Sequence, residues 1–249
     1  MIGLHYAKGG RIGLVTIDRQ PVNAFDDALL AELSDVLDRV ESDRTVRVLL
    51  FRSVGKCFSA GADIQRLRRW TEADGGLEEW DAFTTRLQHT FARIAALDIP
   101  TIAAIHGAAT GGGLELALAC DLRVVAAEAS LGVPEIRLGV VPGAGGTQRL
   151  ARLVGQNVAL RLLLRGEIIK GEEAASLGIA EFCLPRAEVE ARSIALAEEL
   201  AQWPRAALIA NKACALSRGG DGFQLELEYT RKLARDPETK ALIAAFFAK

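Results

Sequence analysis

Ile12, Leu14, Val15 and Ile17 sit in a β-branched run that stops at Asp18-Arg19-Gln20-Pro21, a pattern that predicts a strand. The apolar period then lengthens. Leu29, Leu30, Leu33, Val36, Leu37 and Val40 recur at helical spacing and predict a helix over about 28–40. VRVLLFRS predicts a second strand from about Val46 to Arg52, and GKCFSAGAD predicts a small-residue turn into a polar helix from about Ile64.

The same order repeats. A helix around Glu79 to Ala96 precedes a strand in PTIAAIHG, a glycine turn and a short helix at Leu114. LRVVAAE is a further strand, and VPEIRLGVVPGAGGTQRLARLVG reads as a loop feeding another glycine-opened helix. Strand, glycine-rich turn and helix in alternation indicate an α/β architecture. After Pro185 the strand signal ends. Helices are predicted over 191–203, 206–217, 223–234 and 238–247, broken at Pro204, Gly219-Gly220 and Pro237. The expected division is an α/β core over 1–190 and a helical region over 191–249 that caps the core or serves assembly.

Composition narrows the function class. The 249 residues are 50% hydrophobic and 25% charged with a formal net charge of −2, so no electrostatic pull toward nucleic acid or an anionic membrane is expected. Arg66, Arg68 and Arg69 form the densest basic cluster, which reads as a solvated helix face. Cys57, Cys120, Cys183 and Cys214 are scattered without a CxxC pair, which suits buried thiols in a reducing compartment. Ile99 to Cys120 carries few charges but is interrupted by glycines, His106 and Glu115, so it is not read as a membrane span. The opening MIGLHYAKGGRIGLVTIDR shows no export signal, and a cytoplasmic location is expected.

The chemistry concentrates where glycine turns open helices, at Gly61-Ala62, Gly111-Gly112-Gly113 and Gly143-Ala144-Gly145-Gly146. N–H groups at a helix start lack intrahelical partners and favour a negatively charged oxygen. Each turn alone is better explained by tight turns and close helix–strand packing. Neither GGGLEL nor GAGGTQ supplies the sixth-position glycine of a dinucleotide fingerprint, there is no GxxxxGK[ST] or GxSxG, and His5, His89 and His106 lack metal spacing. Two such starts aimed at one point would form a two-donor oxyanion hole, suited to a thioester turning into an enolate. Glu115 stands in the apolar stretch GAATGGGLELALACD, where an unpaired charge is costly. It is either a first-turn acid favoured by the helix dipole or a buried acid or base. Glu135, in VPEIRLG, is either an active acid or a surface residue paired with Arg137.

Four blocks, RQPVNAF (19–25), FSAGADI (58–64), GAATGGGLELALACDLRVVA (107–126) and PEIRLGVVPGAGGTQRL (134–150), resemble the enoyl-CoA hydratase/isomerase family, the crotonases. The resemblance implies a crotonase-like spiral of repeated ββα units with a C-terminal helical region. It also implies an acyl-CoA thioester substrate and assembly as a homotrimer or homohexamer, and it calls for no metal or other cofactor, coenzyme A being part of the substrate. On the matching positions, Ala62 and Gly112 would supply the oxyanion hole, Glu115 and Glu135 would hold a water between them and exchange its protons with substrate, and Gly143 would help position it. Val22, Ala60, Asp63, Ile64 and Gln65 would line the CoA and pantetheine path. Gln65 departs from the lysine common there, and the tail lacks the family's basic ending, leaving Lys249 or the arginines at 66, 68 and 69 as phosphate contacts. Both glutamates together favour a hydratase over an isomerase, a specialised dehydratase or a non-catalytic CoA-binding scaffold. The stretch WTEADGGLEEW (70–80) is expected to be surface loop.

Overall fold

The computed structural model describes residues 1–72, 74–217 and 221–248. In chain order the elements are β1 (Ile2–Ala7), β2 (Ile12–Ile17), α1 (Asp27–Ser42), β3 (Val48–Ser53), β4 (Cys57–Ser59), α2 (Ile64–Glu72), α3 (Gly76–Ala96), β5 (Thr101–Ile105) and β6 (Ala108–Thr110). They continue through α4 (Gly112–Ala119), β7 (Leu122–Ala126), β8 (Ser130–Gly132), a 3-10 turn at Pro134–Leu138, α5 (Gly146–Val154), α6 (Gln156–Arg165), β9 (Ile168–Lys170) and α7 (Gly171–Ser176). The chain then runs through β10 (Phe182–Leu184), α8 (Arg186–Ala201), α9 (Arg205–Leu216), α10 (Gly222–Leu233) and α11 (Pro237–Phe247).

The strands form two sheets, ordered β1-β2-β3-β5-β7-β10 and β4-β6-β8-β9. From β2 to β10 the larger sheet is parallel; in the smaller one β4, β6 and β8 are parallel and β9 is antiparallel. Each of the pairs β3-β4, β5-β6 and β7-β8 gives its first strand to the large sheet and its second to the small one before a helix returns the chain. That repetition is the ββα spiral. β4 and β6 are parallel neighbours, so the glycine turns that follow them leave the small sheet at the same end, and the third turn reaches α4 through Gly146 beside Glu115.

Local sequence explains the helices that frame the site. Asp26 caps α1 by accepting the Leu29 N–H at 2.8 Å, and the periodic face from Leu29 to Val40 is buried. All eight residues of α4 are buried. A helix apolar on every side belongs in the interior, and α4 lies among α3, α5, β4, β5 and β6. α8 packs across β3, β5 and β7 through Val189, Leu196 and Ala197, so position 191 falls inside a helix that covers the sheet. By contrast α10 and α11 bury no residue and expose Phe223, Leu227, Ile243, Phe246 and Phe247. Among the described residues no helix is long and apolar enough to cross a membrane.

Three expectations are corrected. Residues 57–59, read as turn, form β4; the strand is three residues long and is held by pairing with residues fifty positions away. Residues 70–72 and 76–80 are helix ends, not loop, because Trp70 stacks on Trp80 (centroids 6.0 Å apart, 9° between planes) and Trp80 packs on Phe83. The strand β1, absent from the periodicity reading, pairs antiparallel with β2. The expected break at Gly219-Gly220 and the Lys249 contact lie outside the described residues.

Candidate active site

Ala62 is held by its neighbours. Phe25 donates its N–H to the Gly61 carbonyl at 2.7 Å, and Asp63 donates to the Phe25 carbonyl at 2.9 Å. Because successive N–H groups of an extended chain point to opposite sides, that anchoring turns the Ala62 N–H away from Phe25. Gly112 opens α4, where an N–H has no intrahelical acceptor. Among the described residues neither amide donates a hydrogen bond.

Gly61 brings the two amides together. It has φ +92°, and a methyl group on it would lie 2.8 Å from the Gly112 nitrogen. A methyl group on Gly112 would in turn sit 3.5 Å from the Ala62 nitrogen. The adjoining Gly111 has φ 53° and ψ −128°, a conformation open only to glycine, and any side chain there would meet Glu135 Oε1 at 2.8 Å.

Both amides open onto a cavity of about 850 Å³ that is also lined by Glu115, Glu135 and Gly143. Val22, Ala60, Asp63 and Ile64 form one side of it. Leu67, Trp80, Phe83, Thr84 and Leu87, from α2 and α3, form an apolar wall that faces Ile136, Leu138 and Val141. Sequence reasoning missed this wall. Its signal was present in α3, where Trp80, Phe83, Thr84 and Leu87 share one face at helical spacing. Gln65 does not line the cavity; its N–H closes a turn onto Asp63 Oδ1 at 3.0 Å. Arg66 is paired with Asp27 and lies over the Phe83 ring, and Arg68 is paired with Glu72, consistent with a helix surface.

The two carboxyls have unlike surroundings. Glu115 is buried, and its Oε1 accepts N–H groups from Ala144 and Gly146, both at 2.8 Å. Burial pushes its pKa up, while the two donated hydrogen bonds and the Arg149 charge oppose that shift by favouring the carboxylate. Glu135 sits on the 3-10 turn. Its Oε2 is buried without a hydrogen-bond partner, and among the described residues it makes no ion pair, so the Arg137 pairing is not formed. Burial, with the nearby Glu115 charge adding to it, raises its pKa to about 7. Burial raises both acids, but only Glu115 has N–H donors that favour its carboxylate form, while Glu135 has none on Oε2. Gly143 lines the cavity with its amide free of backbone partners, while its carbonyl accepts from Gln88 Nε2 at 3.1 Å. The Ala144 and Gly146 amides of the third glycine turn touch Glu115, an acceptor the sequence did not point to.

The family model for enoyl-CoA hydratase/isomerase matches residues 7–231. A Bacillus subtilis (strain 168) protein named "Probable enoyl-CoA hydratase" is 44% identical over 192 residues, covering 77% of this chain and 73% of its own. An Arabidopsis thaliana relative named "Probable enoyl-CoA hydratase 2, mitochondrial" is 36% identical and covers 100% of this chain and 83% of its own. The crystal structure of an enoyl-CoA hydratase from Bacillus anthracis superposes with a TM-score of 0.92 at 32% identity, covering 99% and 96% of the two chains. Fold, motif order and similarity over nearly the whole length agree: the chain belongs to the enoyl-CoA hydratase/isomerase family.

Proposed function

We propose that this protein is an enoyl-CoA hydratase that adds water reversibly, in the syn sense, across the 2,3 double bond of a 2-enoyl-CoA thioester. The observation that carries the reading is the single cavity in which two unbonded peptide amides adjoin two carboxyls, one accepting two N–H groups and the other with a buried, partnerless oxygen. The Ala62 and Gly112 amides take the thioester oxygen, which draws electron density from carbon 3. Glu115, as carboxylate, takes a proton from water as the water oxygen bonds to carbon 3. Negative charge moves to the thioester oxygen, where the two amides stabilise it. Glu135, protonated, gives its proton to carbon 2 as the carbonyl reforms. The product is a 3-hydroxyacyl-CoA, and proton exchange between the two acids restores the starting state. Gly143 contributes its amide to the water.

In the same reading Val22, Ala60, Asp63 and Ile64 carry the pantetheine arm, and the apolar wall of Trp80, Phe83 and Leu87 takes the acyl chain. The carboxyls and amides supply every proton and charge contact, so the mechanism calls for no metal or redox cofactor. The exposed apolar residues of α10 and α11 support assembly as a homotrimer or a homohexamer of stacked trimers. Four free thiols support a reducing compartment, which we take to be the cytoplasm.

The test is hydration of crotonyl-CoA in deuterium oxide. Loss of the enoyl absorbance, with one deuterium at carbon 2 and a single relative configuration, is expected. Turnover of a 3-enoyl-CoA to a 2-enoyl-CoA without hydration would replace the reading by isomerisation.

A further inference from the structure

Glu115 is held through a loop, and two side chains outside the cavity hold that loop. Gln88, exposed on α3, donates from Nε2 to the Gly143 carbonyl at 3.1 Å. Arg149, half-buried on α5, donates from Nη1 to the Ala144 carbonyl at 2.7 Å. These carbonyls belong to successive peptide units. In a planar trans peptide the carbonyl and the N–H point in opposite directions. A donor on the Gly143 carbonyl therefore sets the direction of the Ala144 N–H, which lies 2.8 Å from Glu115 Oε1. The contact on the Ala144 carbonyl fixes the next peptide plane and leads the chain into the Gly146 N–H, again 2.8 Å from the same oxygen.

We infer that Gln88 and Arg149 are positioning residues for hydration: they clamp two consecutive peptide planes so that Glu115 is held as an aligned carboxylate. The inference rests on the assignment of Glu115 as base. Gln88 has no packing reason to point at this loop, since an exposed amide is satisfied by water. Arg149 adds its charge to the same peptide dipoles, and chains of hydrogen bonds polarise one another in a poorly solvated site. The groups facing Glu115 are Glu135 across the cavity and Arg149 from α5, with Arg152 and Cys120 beside Arg149. Asp121, Arg123 and Lys212 line a second cavity that Arg149 also borders.

The experiment compares wild type with Gln88→Leu, Arg149→Met and Arg149→Lys. Two readouts are used: kcat and KM for crotonyl-CoA across pH, and the titration of Glu115 followed by carboxyl ¹³C NMR without substrate. Gln88→Leu and Arg149→Met are expected to lower kcat about 10- to 100-fold, with KM changed less than about twofold. The Glu115 titration and the acidic limb of kcat should both move upward by about one pH unit. Arg149→Lys should restore most of both. The double variant should lose less than the product of the single losses, because both contacts act on one loop.

The NMR titration needs no turnover, so a wild type inert toward crotonyl-CoA would strike the proposed activity while the clamp is still read directly. Should Arg149→Met fail to fold, the surface variant Gln88→Leu and the Arg149→Lys pair decide the matter. An unmoved Glu115 titration in folded Gln88→Leu overturns the inference, whether or not kcat falls.

Discussion

Replacing Glu135 by glutamine should make the protein more stable at neutral pH and not at acidic pH. The carboxyl has an ordinary pKa of 4.5 and is raised to about 7 in the folded protein. Below pH 4.5 the folded and unfolded chains both carry the proton, and nothing is lost. Between 4.5 and 7 the unfolded chain releases it while the folded chain retains it, so stability falls as pH rises; above 7 the loss is complete. At about 1.4 kcal/mol for each pH unit separating the two values, the full loss is about 3 kcal/mol. Glutamine is neutral throughout and carries no such dependence. Its amide also meets the partnerless position of Oε2, a cost of about 1–3 kcal/mol that does not vary with pH. The diagnostic is therefore the slope: the stability of Glu135→Gln relative to wild type should rise by about 3 kcal/mol between pH 4 and pH 8. Urea unfolding at fixed protein concentration, followed by tryptophan fluorescence, reads it. In a Glu115→Gln background the rise should shrink, because the Glu115 charge supplies part of the shift. A relative stability that stays flat over this range would refute the claim that Glu135 is held as a protonated acid.

Gly61→Ala should lower kcat/KM at least about 100-fold, since φ +92° and the 2.8 Å approach to the Gly112 nitrogen force the two amides apart; steady-state kinetics on a variant with native circular dichroism checks it. Phe83→Ala, which empties a fully buried position on the acyl wall, should cost about 3–5 kcal/mol in urea unfolding. Arg123 is buried, pairs with Glu181 at 2.6 Å and donates to the carbonyls of Ala117, Cys120 and Ile179, which tie down the end of α4. Arg123→Met leaves the Cys120 and Ile179 carbonyls without that donor, while Glu181 keeps the residue-123 N–H and the Ala117 carbonyl keeps the Cys120 N–H, and it should cost about 1–3 kcal/mol by the same measurement.

The parts of the fold legible in sequence are those whose cause is local. The α1 period from Leu29 to Val40 and the β-branched run of β2 state their own structure, and the acid inside apolar α4 is conspicuous although its role stays open between a first-turn dipole partner and an acid or base. β4, β6 and β8 were not legible, because three residues such as Ala108-Ala109-Thr110 are too few to show alternation and their pairing is long-range. For the site the same division holds. Glu115 draws notice by its residue type in an apolar stretch behind glycines, while Glu135, Ala62 and Gly112 take their roles from the four blocks that resemble the family. The amides of Ala144 and Gly146 are backbone donors without a side-chain signature, and Gln88 meets Gly143 across 55 residues. Arg137 shows the opposite error: it stands two positions from Glu135, yet the 3-10 turn carries Glu135 into the cavity without that partner.

The most direct test of the account is kcat for hydration of crotonyl-CoA at pH 7 by wild type, Glu115→Gln and Glu135→Gln, each shown to be folded. The account predicts a fall of about 100- to 10,000-fold for each variant, because one removes the base and the other the acid. Equal rates in all three proteins would contradict it.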